Sequence, residues 1–215
     1  MFEDRIDAGL KLAKALEKYQ GRDVIVLGIP RGGVVPAFYV AKHLDGELSI
    51  LIARKLGYPF NPEAAFGALA EDGSTYFTEY AFEDLDEENI QRIINREQAE
   101  IEKRVRELRN GEPLPALKGK TVILVDDGIA TGATIFAGIN LCKNQGAGEI
   151  VVAAPVSGGD IDSQIREMVN EVVVLEHPRF YMGVSQGYRH FGNITNYEAR
   201  QYLEKCQQEK KQKTT

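Results

Sequence analysis

Residues 121–134 read Thr-Val-Ile-Leu-Val-Asp-Asp-Gly-Ile-Ala-Thr-Gly-Ala-Thr. Its apolar run, residues 122–125, is β-branched at all positions but one, which is typical of a strand buried on both faces of a parallel sheet. Two adjacent carboxylates follow, then a turn rich in glycine and threonine, and residues 135–143 read as a helix. The order of features predicts a strand, an acidic pair, an anion-binding loop and a helix.

The loop after this strand has the composition of a phosphate site. Ligands of open α/β sheets bind beyond the carboxyl ends of the strands, where Asp126 and Asp127 would lie. The start of a helix offers free backbone N–H groups to an anion, Thr131 and Thr134 add hydroxyl donors, and Gly132 permits close approach. Because carboxylates repel phosphate, the acidic pair must face sugar hydroxyls or a hard cation such as Mg²⁺. A sugar phosphate satisfies both requirements.

The stretch resembles the signature with which type I phosphoribosyltransferases bind 5-phosphoribosyl 1-pyrophosphate (PRPP). That signature has four apolar residues, two acids and a Thr-Gly-x-Thr turn, and Gly128 departs slightly from it because the family usually has an apolar residue there. The resemblance implies that the acidic pair holds the ribose hydroxyls and that the loop holds the 5′-phosphate. The implied contacts are Asp126, Asp127, Gly128, Ala130, Thr131, Gly132, Ala133 and Thr134. The alternative is an ordinary strand-to-helix turn with a threonine cap.

A second strand, glycine-rich loop and helix lie earlier in the chain. Residues 24–27 predict a buried strand and residues 34–44 a helix, and Arg31, Gly32 and Gly33 lie between them. A guanidinium beside two glycines suits an anion site, although a tight turn with a solvated arginine fits the same residues. The loop resembles that of xanthine and guanine phosphoribosyltransferases, which implies that it binds the pyrophosphate of PRPP and that Arg31 is catalytic together with the acidic pair.

Two further cations follow the next predicted strand, residues 48–53. Arg54 and Lys55 would close this strand at the same edge of the sheet, and a segment rich in glycine and proline comes after them. By resemblance to the family, we expect both cations to contact pyrophosphate and the segment to form a mobile lid. The alternative is a pair of solvated surface charges.

The remaining pattern completes an α/β fold. The alternation of strands and helices predicts a parallel sheet with right-handed crossovers. The resemblance makes it a Rossmann-like type I phosphoribosyltransferase core with helices on both faces and a small insertion comprising a hood and a long helix. We expect one domain over residues 1–206, with its core at about 24–175 and its hood or tail at about 176–206. The final helix would end near residue 205, and residues 207–215 would form a frayed tail.

Composition narrows the classes of function. A formal net charge of −6 argues against a nucleic-acid-binding surface, and the chain starts with acids where a signal peptide would carry basic residues. No apolar run reaches the length of a membrane span. The two cysteines, Cys142 and Cys206, lack the spacing of a metal or redox site, so we expect a reduced, cytoplasmic protein.

The segment after the core is rich in aromatic residues and would form the hood over the acceptor. Phe180 or Tyr181 could stack on a planar base, or could simply pin a coil segment to the core. The resemblance further implies Mg²⁺ that arrives chelated by PRPP and is not held directly by the protein, and a homodimer.

The predicted function is transfer of the 5-phosphoribosyl group of PRPP to a nitrogenous base or similar small acceptor, with release of pyrophosphate. Ala130 occupies the position at which 6-oxopurine enzymes carry an aspartate, so the sequence does not name the base. The alternative is a regulatory protein of the same fold that senses PRPP or nucleotides without catalysis.

Overall fold

The computed structural model describes residues 1–214, and the side chains of all of these except 62, 63, 213 and 214. Five parallel strands form its centre: β1 (Val24–Gly28), β2 (Glu47–Ile50), β6 (Thr121–Val125), β7 (Glu149–Val156) and β8 (Glu171–Glu176). Their order across the sheet is β2-β1-β6-β7-β8. The two strands that carry the predicted anion loops, β1 and β6, are therefore neighbours, paired from Val24 with Thr121 to Gly28 with Val125.

Helices cover both faces of this sheet, as predicted. They are α1 (Arg5–Ala15), α2 (Val34–Leu44), α3 (Ala81–Asp84), α4 (Glu87–Arg109), α5 (Ala133–Asn144), α6 (Gly159–Arg166) and α7 (Asn196–Thr214). Because neighbouring residues of a strand point to opposite faces, Val26 packs in a core with α1, α2, α4 and α7, whereas Leu27 packs in a second core with α5 and α6. No helix in residues 1–214 is both long and apolar enough to cross a membrane.

A separate antiparallel sheet consists of β3 (Ala53–Tyr58), β4 (Asn61–Ala70) and β5 (Thr75–Phe77). It corrects one expectation. The strand predicted at residues 48–53 ends at Ile50, and Arg54 and Lys55 lie inside β3 instead of at the end of a parallel strand. The glycine- and proline-rich segment expected as a mobile lid lies in the hairpin formed by β3 and β4, and its mobility stays a prediction.

The change of sheet has a local cause that composition does not reveal. The apolar run of residues 48–53 is continuous, but the backbone N–H of Ile52 donates to the carboxylate of Glu71 at 2.9 Å, and not to a neighbouring parallel strand. From Ala53 onward the chain pairs with β4. The pyrophosphate-binding candidates therefore lie on a hairpin beside the sheet.

The C-terminal helix is longer than predicted. Helix α7 continues to Thr214, past the expected end near Lys205, and Glu209 forms an ion pair with Lys42 at 2.9 Å. Glutamine, glutamate and lysine are good helix formers, so the polar composition that suggested a frayed tail is compatible with a helix. Residue 215 of the predicted tail lies outside the described residues.

Residues 177–195, here called the strap, connect β8 to α7. The strap joins the N-terminal segment through backbone hydrogen bonds, including Phe2 N–H to Gly187 O at 2.7 Å and Arg189 N–H to Phe2 O at 2.8 Å. Phe2 and Tyr188 are buried and their rings are in contact. The two ends of the core are thus tied together above the carboxyl edge of the sheet.

Candidate functional site

The glycine-rich loop after β1 and the acidic pair after β6 are in direct contact. A Cβ atom on Gly32 would lie 1.8 Å from Asp127 Oδ2, and one on Gly33 would lie 2.7 Å from the Cα of Asp126. Real Cβ atoms do not approach other atoms this closely, so only glycine allows the two loops to meet. The structure therefore brings together two groups of candidate residues that lie almost a hundred positions apart in the sequence.

The loop at residues 130–134 has the geometry of an anion site. Gly132 adopts a φ of +70° directly before α5, which turns the chain so that the helix begins at the strand end. No hydrogen bond is donated by the backbone N–H groups of residues 130–135 to any other described residue. The hydroxyl groups of Thr131 and Thr134 also lack partners within the described chain. These donors surround the positive end of the helix dipole.

A cavity of about 190 Å³ lies in front of this loop. Its walls are Lys55, Asp126, Gly128, Ile129, Ala130, Thr131, Gly132, Thr134, Ile135 and Val184. Most of the residues predicted to contact ribose 5-phosphate line it. Ala133 is buried in the first turn of α5 and Asp127 is not part of the wall.

The two carboxylates of the acidic pair differ in their surroundings. Asp127 Oδ2 accepts a hydrogen bond from Arg5 Nε at 2.6 Å, and both side chains are largely buried. The Asp126 carboxylate accepts a hydrogen bond from the backbone N–H of Asp127 at 2.8 Å, and no cation of the described chain forms an ion pair with it. Burial, and then the charge of Asp127, raise the pKa of the Asp126 carboxyl well above its ordinary value. Asp126 lines the cavity, whereas the Asp127 carboxylate lies outside the cavity wall and is bound by Arg5.

Arg5 is a site residue that the sequence did not indicate. Besides Asp127, its guanidinium donates to the backbone oxygen of Gly192 at 2.6 Å, and its centre lies 3.9 Å from the centroid of the Phe191 ring. Helix α1, the acidic pair and the strap are therefore joined by one buried side chain. Asp4 caps the N-terminus of the helix and fixes the position at which Arg5 begins it.

Two of the predicted pyrophosphate residues, Arg54 and Lys55, line a second cavity of about 600 Å³, whereas Arg31, Gly32 and Gly33 are not part of its wall. Its walls are Pro30, Ala53, Arg54, Lys55, Gly57, Arg96, Glu97, Glu100, Arg104 and Thr134. Arg54 Nε donates to the buried carboxylate of Glu97 at 2.5 Å. Arg54 is therefore not the solvated surface charge that the sequence left open as an alternative. Lys55 and Arg31 are exposed and have no hydrogen-bonded acid among the described residues.

The strap brings one of the two aromatic candidates to the site. Tyr181 is half-buried against Gly158, and its buried hydroxyl has no hydrogen-bond partner in the described chain. Burial, and then the charges of Asp127 and Asp126, raise the pKa of Tyr181 to about 12. Phe180 is 85% exposed and points away from the core. Of the two, Tyr181 alone is close to the acidic pair.

A buried polar group supports the beginning of the strap. The Ser157 hydroxyl donates to Asp162 Oδ1 at 2.6 Å, and His177 Nε2 lies 2.6 Å from Asp162 Oδ2. The carboxylate stands between serine and histidine, which is not the order of a nucleophilic triad. We interpret this group as an anchor for the strap.

No three His, Cys, Asp or Glu side chains in the part of the chain described converge as a metal site. Asp126 is the one carboxylate in the wall of the smaller cavity, so an ion there would take most of its oxygen ligands from a bound phosphate compound.

Comparison with known proteins agrees with this architecture. Residues 5–185 match the phosphoribosyl transferase domain family. The chain is 39% identical over 208 residues to a provisionally named phosphoribosyl transferase of Mycobacterium tuberculosis, a match that covers 96% of this chain and 47% of that protein. The chain thus spans about half the length of the curated relatives it matches.

A solved structure matches almost the whole chain, and a transcriptional regulator matches a short part of it. The crystal structure of TT1426 from Thermus thermophilus superposes with a TM-score of 0.81 at 38% identity, over 94% of this chain and 97% of that one. A 46-residue match, 46% identical, links 21% of this chain to 23% of the transcriptional regulator GfcR of Methanosphaera stadtmanae. The family predicted from residues 121–134 is confirmed: the chain belongs to the type I phosphoribosyltransferases.

Proposed function

We propose that this protein transfers the 5-phosphoribosyl group of PRPP to a nitrogen of a small planar base and releases pyrophosphate. The observation that carries the proposal is the contact between the acidic pair and the Arg31 loop, with an anion loop on one side and a cationic cavity on the other. A sugar bearing a phosphate at one end and a diphosphate at the other matches this distribution of charge.

In this reaction the bond between C1′ and the pyrophosphate oxygen breaks, and a bond between C1′ and the acceptor nitrogen forms. The proton displaced from that nitrogen leaves to solvent or to pyrophosphate. The protein would position the two reactants and stabilise the charge that develops on them. The donors at residues 130–134 would hold the 5′-phosphate, Asp126 would accept hydrogen bonds from ribose hydroxyls, and Arg31 and Lys55 would stabilise charge on the leaving group.

Asp127 would act in a different way from Asp126. Because its carboxylate is bonded to Arg5, it can fix the orientation of the acidic pair while a second oxygen remains for a sugar hydroxyl. Burial, and then the charge of Asp127, raise the pKa of the Asp126 carboxyl, and a hydroxyl donor or a cation beside it would favour the ionised form. The pair is thus prepared for a ligand that donates hydrogen bonds or carries positive charge.

Mg²⁺ belongs to the same proposal. Chelated by the diphosphate oxygens, it would neutralise part of the leaving-group charge, and Asp126 is the side chain in the cavity wall suited to supply a further oxygen. A homodimer and a cytoplasmic location are also proposals. The whole activity is proposed for a chain that covers about half the length of its curated relatives.

The second candidate is a sensor of PRPP or nucleotides without catalysis. The local similarity to a transcriptional regulator favours it, although that similarity covers only 21% of the chain. The formal net charge of −6 gives no general attraction for nucleic acid, which favours the enzyme.

The experiment that separates the candidates is a screen for pyrophosphate release. Purified protein with Mg²⁺ and PRPP is offered a panel of purine and pyrimidine bases, and the Asp126→Asn/Asp127→Asn variant serves as control. An enzyme releases pyrophosphate with at least one base and the variant does not. A protein that binds PRPP but releases nothing with any base is the sensor.

A further inference from the structure

The long helix α4 brings charged side chains to the larger cavity. The cavity wall includes four residues of α4 together with Pro30 of the preceding glycine-rich loop region, and the four are Arg96, Glu97, Glu100 and Arg104. Glu97 is buried, and its two carboxylate oxygens are taken by Arg54 at 2.5 Å and by Arg96 at 2.9 Å. The one buried acid of the wall is therefore already neutralised.

Two cations of the cavity wall, Lys55 and Arg104, have no hydrogen-bonded acid in the described chain. Arg31, which follows the wall residue Pro30, also lacks such a partner there and lies close enough to Arg104 to affect its pKa. Arg104 is half-buried in the middle of α4. Burial, and then the neighbouring charges of Arg54 and Arg31, lower the pKa of its guanidinium. Like charges gathered in this way repel one another, so an anion with several oxygens would be bound strongly among them.

The two cavities adjoin each other. Lys55 and Thr134 line both the larger cavity and the smaller one in front of the 5′-phosphate loop. A ligand that places one phosphate at the start of α5 can therefore extend past Thr134 toward α4. PRPP bound with its 5′-phosphate at the start of α5 would place its diphosphate toward α4.

We propose that Arg104 is a substrate-binding residue, which holds the diphosphate end of PRPP and the pyrophosphate released from it. This inference rests on the proposed function and adds a residue from the insertion helix to the site. It gives the long helix a task besides packing. Ile101 and Leu108 are buried on either side of Arg104 along the helix, so the guanidinium is presented by a rigid element and not by a loop.

The test compares Arg104→Gln with Arg106→Gln, a matched control two positions along the same helix whose side chain is exposed and does not line the cavity. Binding of Mg²⁺–PRPP, Mg²⁺–pyrophosphate and ribose 5-phosphate is measured by isothermal titration. We expect Arg104→Gln to bind the first two about 10- to 100-fold more weakly, as for the loss of a charge-assisted hydrogen bond, and ribose 5-phosphate as the wild type does.

Arg104→Lys, which keeps the charge, should recover part of the lost affinity, and Arg106→Gln should match the wild type for all three ligands. Equal affinity of Arg104→Gln and wild type for Mg²⁺–pyrophosphate would overturn the inference and leave the proposed function standing. A wild type that binds neither PRPP nor pyrophosphate would overturn the proposed function itself. Equal weakening for all three ligands would assign Arg104 a structural role and also reject the inference.

Discussion

Replacement of Arg5 by methionine tests whether a single buried arginine holds the acidic pair. The change keeps a long side chain but removes three contacts: the ion pair with Asp127, the hydrogen bond to the Gly192 oxygen and the stack on Phe191. The carboxylate of Asp127 would stay in place with only 14% of its side-chain surface exposed. Its uncompensated charge is the main source of the expected effect.

The magnitude follows from this burial. Breaking a buried ion pair by removing one partner costs about 3–5 kcal/mol, and the stack contributes about 0.5–2 kcal/mol. Since the Asp127 side chain keeps 14% of its surface exposed and can be partly hydrated, we expect the lower end, about 3 kcal/mol in the free energy of unfolding. Arg5→Met combined with Asp127→Asn removes the unpaired charge. The stability lost in the double variant should therefore be smaller, by about 1.5 kcal/mol or more, than the sum of the losses in the two single variants.

The assay is urea unfolding followed by circular dichroism for the wild type, both single variants and the double variant. Arg189→Met is the control, because the Arg189 pair with Glu3 is exposed on both sides and its loss should cost less than about 1 kcal/mol. Effects of Arg5→Met and Asp127→Asn that add within about 0.5 kcal/mol would refute the reasoning, since independent sites add and coupled ones do not.

Two further predictions concern the contact between the loops. In Gly33→Ala the new Cβ would lie 2.6 Å from the backbone oxygen of Ile29, which cannot rotate away. We therefore expect the free energy of unfolding, measured in urea, to fall by about 1–3 kcal/mol. Gly159→Ala is the control, because the space around Gly159 is open and its stability should change little. Equal stability of the two variants would contradict the geometry. Asp126→Asn should match wild-type stability near about pH 4 and exceed it near about pH 8. Because the pKa of Asp126 is raised in the folded protein, the wild type loses stability as the pH rises and the carboxyl must ionise, by about 1.4 kcal/mol for each unit by which the folded pKa exceeds the unfolded one. A stability difference that does not vary with pH would show that the Asp126 pKa is not raised.

The parts of the fold that could be predicted from the sequence are those that composition determines locally. Strands β1 and β6 are buried over their whole lengths, and an unbroken apolar run followed by glycine or acid marks such strands without knowledge of their neighbours. The same holds for the anion loop, because the start of a helix supplies free donors wherever it lies. The larger error was at residues 51–55, where the chain leaves one sheet for another and only pairing with β4 decides the outcome.

The charged residues of the site were harder to predict for a related reason. Arg5, Glu97 and Arg104 lie on amphipathic helices, where a charged side chain is normally solvated. Their burial depends on what each helix packs against: Arg5 meets Asp127 across 122 positions of sequence and Glu97 meets Arg54 across 43. The sequence therefore indicated which loops form the site, but not which helices supply the charges that support it.

The most direct test of the account is titration of Mg²⁺–PRPP into the wild type and into Asp126→Asn/Asp127→Asn, with circular dichroism to show that the variant is folded. The account predicts saturable binding by the wild type and a loss of at least about tenfold in the variant, as each carboxylate ceases to accept a charge-assisted hydrogen bond from the ribose. Wild-type protein that does not bind PRPP, or a folded variant that binds it equally well, would contradict the assignment of the acidic pair to the sugar.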